Sequence, residues 1–252
     1  LIAAIAATRR GIEEMSTLAR GTLAAAAEAA ELLGALTSDA DLANAVLVKA
    51  AVSLAGVGGS DPLQAESDPR RMAERLASVA GRSAVETALA LLKLGDLGLP
   101  RHWSPTQGLD ARQAETLRKM LLAVVSDPRL ILARLAEQLV ALRHARELPD
   151  DAAGLAERER LGVEARAVFA PLASRLGVWQ LKWELEDLAF RYLEPQEYRR
   201  IAAALNERRA DRERYIEELC ERLRAELGAA GVSAEVYGRP KHMYSIHRKM
   251  QR

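Results

Sequence analysis

Asp127-Pro128-Arg129-Leu130-Ile131-Leu132-Ala133-Arg134-Leu135-Ala136-Glu137-Gln138-Leu139-Val140-Ala141-Leu142-Arg143 places Ile131, Leu135, Leu139 and Leu142 at steps of four, four and three. That spacing returns all four side chains to one face of a helix, whereas in a strand the step of three would throw Leu142 to the opposite face. Asp127 followed by Pro128 reads as an N-cap with proline at the first helical position, where a missing N–H loses no hydrogen bond.

The same period extends in both directions. Upstream, Leu23 to Leu36 is an Ala-rich helix, and Asp39 or Asp41 can cap the next one, which runs to about Leu54. Gly56-Val57-Gly58-Gly59-Ser60-Asp61-Pro62 breaks it. Pro69 to Ala80 and Ser83 to Leu97 read as further helices, Gly98 to Gly108 as a loop, and Leu117, Met120, Leu121 and Val124 as one helix face. Downstream, Pro149-Asp150-Asp151 opens a helix with Phe169, Leu172 and Leu176 inward and Gly177 as its stop. Trp179 to Tyr192, Pro195 to about Arg209, and the stripe Ile216, Leu219, Leu223, Leu227 complete the helical series. Only Ser233-Ala234-Glu235-Val236-Tyr237 reads as a strand, and a lone strand needs neighbours that are not apparent here.

Composition agrees with a mainly α chain. Of 252 residues, 49% are apolar, enough for a core, and only 4% are aromatic. The net charge is +1, so no global field calls for DNA or an anionic membrane. No uncharged apolar run approaches the ~18 residues of a membrane span. A single cysteine, Cys220, rules out an internal disulfide framework or a multi-Cys zinc site and suits a reducing cytoplasm.

Charge concentrates at the end of the chain. Residues 238–252 contain Arg239, Lys241, Arg248, Lys249 and Arg252 and no acid. Lys241, Ser245 and Lys249 recur every four residues, one face of a helix. Two ammonium groups, a hydroxyl and free helix N-terminal amides make a polyphosphate cradle, to which Arg239 adds a guanidinium. The competing reading is a solvated basic end, and spacing alone does not separate the two.

Longer ordered stretches carry a resemblance. Val236-Tyr237-Gly238-Arg239-Pro240-Lys241-His242-Met243-Tyr244-Ser245-Ile246-His247-Arg248-Lys249-Met250 resembles the start of the synthetase domain of RelA/SpoT alarmone enzymes. Phe169 to Leu188, including Trp179-Gln180-Leu181-Lys182-Trp183-Glu184-Leu185-Glu186-Asp187, resembles that family's connector, as does Arg191-Tyr192-Leu193-Glu194-Pro195 with Glu197-Tyr198. Gln113-Ala114-Glu115 with Arg118-Lys119-Met120-Leu121 resembles a helix of its hydrolase domain. The resemblance covers about 110 to 252.

It implies a degenerate HD-type helical hydrolase domain over 1–150, a helical connector over 151–230, and over 231–252 the first strand and helix of a truncated α/β nucleotidyltransferase-like synthetase domain. The activity implied is that of a GTP pyrophosphokinase, moving the β,γ-pyrophosphate of ATP to the 3′-hydroxyl of GDP or GTP with Mg²⁺ in the parent enzyme. By motif, Arg239 would contact adenine, Lys241, Ser245 and Lys249 would hold ATP phosphates, and His242 lies among them. The metal-binding Asp, catalytic Glu and guanine-stacking Tyr are not matched in this sequence, so no catalytic residue is assigned and the chain alone is expected to be inactive. Ribosome and uncharged tRNA are implied as partners through C-terminal regions absent here.

Active hydrolases of this family hold Mn²⁺ through a His, a His-Asp pair and a distant Asp. Here the His-Asp pair aligns with Leu54 and Ala55, the following acidic pair with Gly58 and Gly59, and the later Asp and Asn with Glu137 and Ala141. Apart from Glu137 none of these donates to a metal. No His-Asp dipeptide exists, and only His102 and His144 precede residue 238. The expectation is a pseudo-hydrolase that binds no metal, as in the RelA-like, synthesis-only branch. A regulatory module that binds an effector nucleotide in the old pocket, a bifunctional synthetase/hydrolase parent, and a basic-tailed nucleic-acid binder are the other readings. The last is weakened by a neutral body and few interleaved aromatics. Trp179 and Trp183 read as core packing rather than a stacking platform, Glu184, Glu186 and Asp187 as an ion-paired face rather than paired catalytic acids, and Cys220 as an inert, partly buried thiol.

Overall fold

The computed structural model describes residues 1–15, 19–55, 69–95, 127–206, 209–238 and 241–251. Among them the helices are α1 (Ile2–Met15), α2 (Ala19–Thr37), α3 (Ala40–Ala55), α4 (Pro69–Ala80), α5 (Arg82–Gly95), α6 (Pro128–His144), α7 (Ala152–Glu164), α8 (Ala170–Arg175), α9 (Trp179–Leu193), α10 (Pro195–Asn206), α11 (Arg209–Ala229) and α12 (Met243–Met250). No described residue lies in a strand, and no described helix is long and apolar enough to cross a membrane. Contacts divide the chain into Leu1–Leu185 and Glu186–Arg252.

The first unit is built around α3. Leu42, Ala43, Ala45, Val46, Leu47 and Val48 are all buried, so this helix is apolar nearly all round, the pattern of a helix enclosed by others. Helices α1, α2, α4, α5 and α6 pack on it. Ala27, Ala29 and Ala30 of α2 are small enough to let backbones approach closely, and Leu33, Leu76, Leu91 and Leu139 fill the gaps between helices. Each buried leucine contributes roughly 1.5–3 kcal/mol. Of the two acids that can cap α3, Asp39 does so, accepting from Leu42 N at 3.0 Å. Asp127 caps α6 by accepting from Arg129 N at 3.0 Å. Arg129 in turn reaches Asp39 at 3.1 Å and so ties the two helix starts together.

Beyond α6 the sequence dictates the turns. Asp151 caps α7 through Gly154 N at 2.8 Å. A Cβ on Gly154 would meet the Pro149 carbonyl oxygen at 2.0 Å, so only glycine lets the chain fold back there. Between α7 and α8, Ala165–Phe169 form a π-helical turn just before Pro171. Proline lacks an N–H and crowds the carbonyl four residues back, and the wider turn accommodates it. Gly177, at φ +74°, stops α8 as its position in the sequence suggests.

Arg143 joins three helices of this unit. Its guanidinium grips Glu184 of α9 at 2.6 and 2.8 Å and Glu28 of α2 at 2.8 Å. Beside it, His144 Nε2 lies 2.9 Å from Glu28 and Nδ1 lies 3.2 Å from Glu147. Hydrogen bonds to Glu28 and then Glu147 hold the imidazole pKa above its ordinary value, outweighing burial. A raised folded-state value means the imidazolium favours the folded state. Its contribution is complete below the unfolded value of about 6.5 and is lost as pH rises through the higher folded value. The melting temperature of the wild-type chain is therefore expected to fall more than that of His144→Gln between pH 6 and pH 8.5. Parallel melting curves for the two proteins would remove this role from His144.

In the second unit, Phe190 is fully buried. Its ring meets Tyr198 at 5.8 Å, Tyr244 at 5.7 Å and His247 at 4.6 Å between centroids, which fastens α10 and α12 to the end of α9. His247 is only 5% exposed, filling an aromatic position of that cluster. The segment read as a strand, 233–237, carries no strand pairing and no helix. The cause is the one anticipated: no described neighbour offers an edge. Arg224 satisfies one of its carbonyls, donating to Val236 O at 2.6 Å. The stripe of α11 turns only Cys220 fully inward, while Leu219 and Leu223 remain exposed.

Candidate functional site

Two constellations of chemistry-bearing residues stand out, one in each unit. The first is a cleft of about 550 Å³ between α2, α3, α6 and α7. Its walls are small and apolar, from Ala25, Ala29, Val46 and Ala141, and its polar lining is Lys49, Arg134, Glu137, Gln138, Arg160 and Glu164. Gln138 is buried and donates to Leu161 O at 3.2 Å, which fixes one wall of the cleft on α6 to α7.

Glu137 and Ala141, the positions aligned with the later metal-site Asp and Asn, both line this cleft. Leu54 and Ala55 end α3, although their side chains, like Gly58, Gly59 and His102, lie outside the described residues. Glu137 is fully engaged. Lys49 Nζ contacts its two oxygens at 2.6 and 2.7 Å, and Arg134 takes Oε2 at 2.7 Å. Burial pushes the Lys49 pKa down, the charge of Arg134 adds to this, and Glu137 holds it back. A second cluster lies alongside, with Arg160 bonding Glu164 at 2.5 Å and Glu157 at 2.6 and 2.8 Å. Burial drives the Glu164 pKa up against the pull of Arg160.

A hydrolytic metal ion requires imidazole and carboxylate donors with free lone pairs. The one carboxylate at an aligned position is clamped by two cations, Ala141 offers no donor, and no group of three His, Cys, Asp or Glu among the described residues is placed to hold a metal. These residues do not fit a divalent cation, and no chemical step is derived through one.

The second constellation is the basic tail. Ser245 and Lys249 lie on α12 and Lys241 just before it, while Arg239 falls outside the described residues. The Lys241 pKa is lowered by lost solvation and then by the like charge of Lys249 beside it. Lys241 precedes the helix and Lys249 is its next-to-last residue, and both are exposed. His242 instead faces Asp187, its Nδ1 3.4 Å from Oδ2. The helix amides are not free either: Asp187 accepts from Met243 N at 3.3 Å and from Tyr244 N at 3.0 Å. Any anion bound here is held by side chains rather than by the first two amides.

The spacing of residues missed three features. Lys49 is the one cation in the largely apolar α3, which is the signal that could have marked it as the partner of Glu137. Asp187 leaves the acidic face to cap α12 from 56 residues away, and no local pattern reveals that. Trp179, expected in a core, is 47% exposed, with its ring 6.2 Å from that of Trp183 and Lys182 Nζ 5.6 Å from its centroid.

Comparison with known proteins agrees with this geometry. A family profile described as HD domain matches residues 4–179. The GTP pyrophosphokinase of Escherichia coli (strain K12) is 54% identical over 147 residues, 58% of this chain and 19% of that protein. The GTP pyrophosphokinase of Haemophilus influenzae is 47% identical over 154 residues, 60% of this chain and 20% of its own length. A probable guanosine-3′,5′-bis(diphosphate) 3′-pyrophosphohydrolase of Synechocystis is 45% identical over 139 residues, 55% of this chain and 18% of its own length. The chain spans about a fifth of the length of these curated relatives. With the HD profile across most of its length, it belongs to the HD-domain family, in the RelA/SpoT line of alarmone enzymes.

Proposed function

We propose that this chain is the front of a GTP pyrophosphokinase of the RelA-like kind, with a hydrolase fold that no longer hydrolyses, a helical connector and the ATP-gripping start of the synthetase domain. The parent enzyme transfers pyrophosphate from ATP to the 3′-hydroxyl of GDP or GTP and would use Mg²⁺ to offset the phosphate charge. The observation that carries this reading is the 54% identity over 147 residues to a GTP pyrophosphokinase, taken with Lys241 just before α12 and Ser245 and Lys249 four residues apart on it. Like charges repel and are held together at a loss unless an anion neutralises them. The transferred group is such an anion, and cations fixed around it stabilise its transition state.

Titration of Mg²⁺–ATP into the 252-residue chain, by calorimetry, is expected to give saturable binding. Lys241→Ala/Lys249→Ala should weaken it by more than about tenfold, since each lost charge-assisted contact contributes on the order of 1.5–3 kcal/mol. ATP with GDP should yield no 3′-pyrophosphorylated product from this chain. Transfer above background would overturn the assignment of catalysis to residues outside it, and unaltered binding by the double variant would overturn the nucleotide reading.

A second reading is favoured by the cleft: the hydrolase fold retains about 550 Å³ of space lined by the ion-paired Lys49, Arg134, Arg160, Glu137 and Glu164, room for a small polar effector. The two are compatible, because a regulatory domain that binds an effector unequally in two states biases the enzyme it is joined to.

A further inference from the structure

The helix that carries Ser245 and Lys249 is not self-supporting. α12 has eight residues, and isolated helices shorter than about 12–15 residues are marginal in water. Its N-cap residue, His242, makes no side-chain capping bond. The cap comes instead from α9, where the two Asp187 oxygens each accept one of the first amides of α12, at 3.3 Å for Met243 and 3.0 Å for Tyr244. One turn further along α9, Phe190 lies against Tyr244 and His247 of the same helix. The carboxylate fixes the end of α12 and the ring fixes its flank, and two such points determine where Lys241, Ser245 and Lys249 stand.

We propose that Asp187 is a positioning residue of the polyphosphate site: by capping α12 across the chain it sets the placement of Lys241, Ser245 and Lys249. This rests on the nucleotide reading of those three residues. A carboxylate so close to the cradle also adds negative charge there, so it acts in two opposed ways. Held at the helix end and satisfied by two amides, its charge is spent on the helix dipole. The loss of ordered cations on its removal then outweighs the relief of repulsion. Misplacing binding groups by about 1 Å is enough to lose up to about a hundredfold in function.

The test is titration of inorganic tripolyphosphate into the full 252-residue chain and its variants, with amide exchange followed in parallel. Asp187→Ala is expected to weaken binding roughly tenfold, the loss of one helix cap. It should also raise exchange at Met243 and Tyr244 while protection in α2, α3 and α6 is unchanged. Asp187→Asn, which keeps the shape and one acceptor, should fall between wild type and Asp187→Ala, a partial rescue that mere loss of charge does not give. If the wild type binds, if Lys241→Ala/Lys249→Ala does not, and if Asp187→Ala binds as well as wild type or more tightly, the positioning role is overturned and the carboxylate is indifferent or a competitor. If the wild type does not bind, or the double lysine variant binds equally, it is the nucleotide reading that has failed, and the positioning role falls with it.

Discussion

Phe190→Ala is expected to release α12 and abolish polyphosphate binding while leaving the α1–α6 core folded. Phe190 is the only phenylalanine of the second unit and is fully buried, and three of its neighbours are the rings of Tyr198, Tyr244 and His247. Emptying such a site removes about 3–5 kcal/mol from a well-packed core. Little in that unit can make up the difference. Besides Phe190, only Ala189, Ile201 and Cys220 are buried apolar residues among the described residues there, and Leu219 and Leu223 face solvent. Regions with few buried apolar contacts open at the low end of the stability range. The expected signature is loss of amide protection across residues 243–250 and loss of ATP or tripolyphosphate binding, with the main thermal transition kept. Phe190→Leu, which preserves most of the volume, should cost less than about 1.5 kcal/mol and keep binding. A Phe190→Ala chain that binds with wild-type affinity would mean that α12 is held by something other than this cluster.

The contrast between α6 and α12 explains how much was legible in the sequence. α6 announces itself locally: an Asp127-Pro128 start, a 4-4-3 stripe and a run of fully buried leucines. α3 could be placed as a helix, and its capping by Asp39 rather than Asp41 followed from the fold. At α12 the local text was readable as strand, turn and helix start, but what holds the helix is Asp187 and Phe190, more than fifty residues earlier. Its amides therefore looked free when they were taken. In the cleft, Glu137 and Ala141 line one wall, because i and i+4 share a helix face. That spacing was silent about Lys49, which reaches Glu137 across 88 residues. Spacing within a helix is readable from sequence, whereas pairing between helices is decided by packing.

Lys49→Met is expected to destabilise the first unit by about 2–3 kcal/mol, and Lys49→Met/Glu137→Leu to return it to within about 1 kcal/mol of wild type. The single change leaves the Glu137 carboxylate in the cleft with Arg134 alone, at a position where its side chain is 18% exposed. Breaking a fully buried pair costs about 3–5 kcal/mol, and the residual solvent access here lowers that figure. Glu137→Leu should cost less, because burial already pushes the Lys49 pKa down and an unpaired ammonium can shed its proton. The two single losses should therefore sum to more than the double, a coupling of 0.5–3 kcal/mol of the kind found for residues in one ion-pair network, readable from urea midpoints. The same network bears on the metal. With a lysine ammonium and a guanidinium already neutralising Glu137, a divalent ion would meet two cations before it met a lone pair. Added Mn²⁺ should leave the wild-type unfolding midpoint unmoved, whereas even a ligand at a hundred times its dissociation constant would add about 2.7 kcal/mol. No manganese-dependent loss of pyrophosphate from ppGpp should be seen. A several-degree rise in melting temperature with Mn²⁺ would mean that the cleft still offers a metal its donors, and the statement that these residues do not fit a divalent cation would have to be given up.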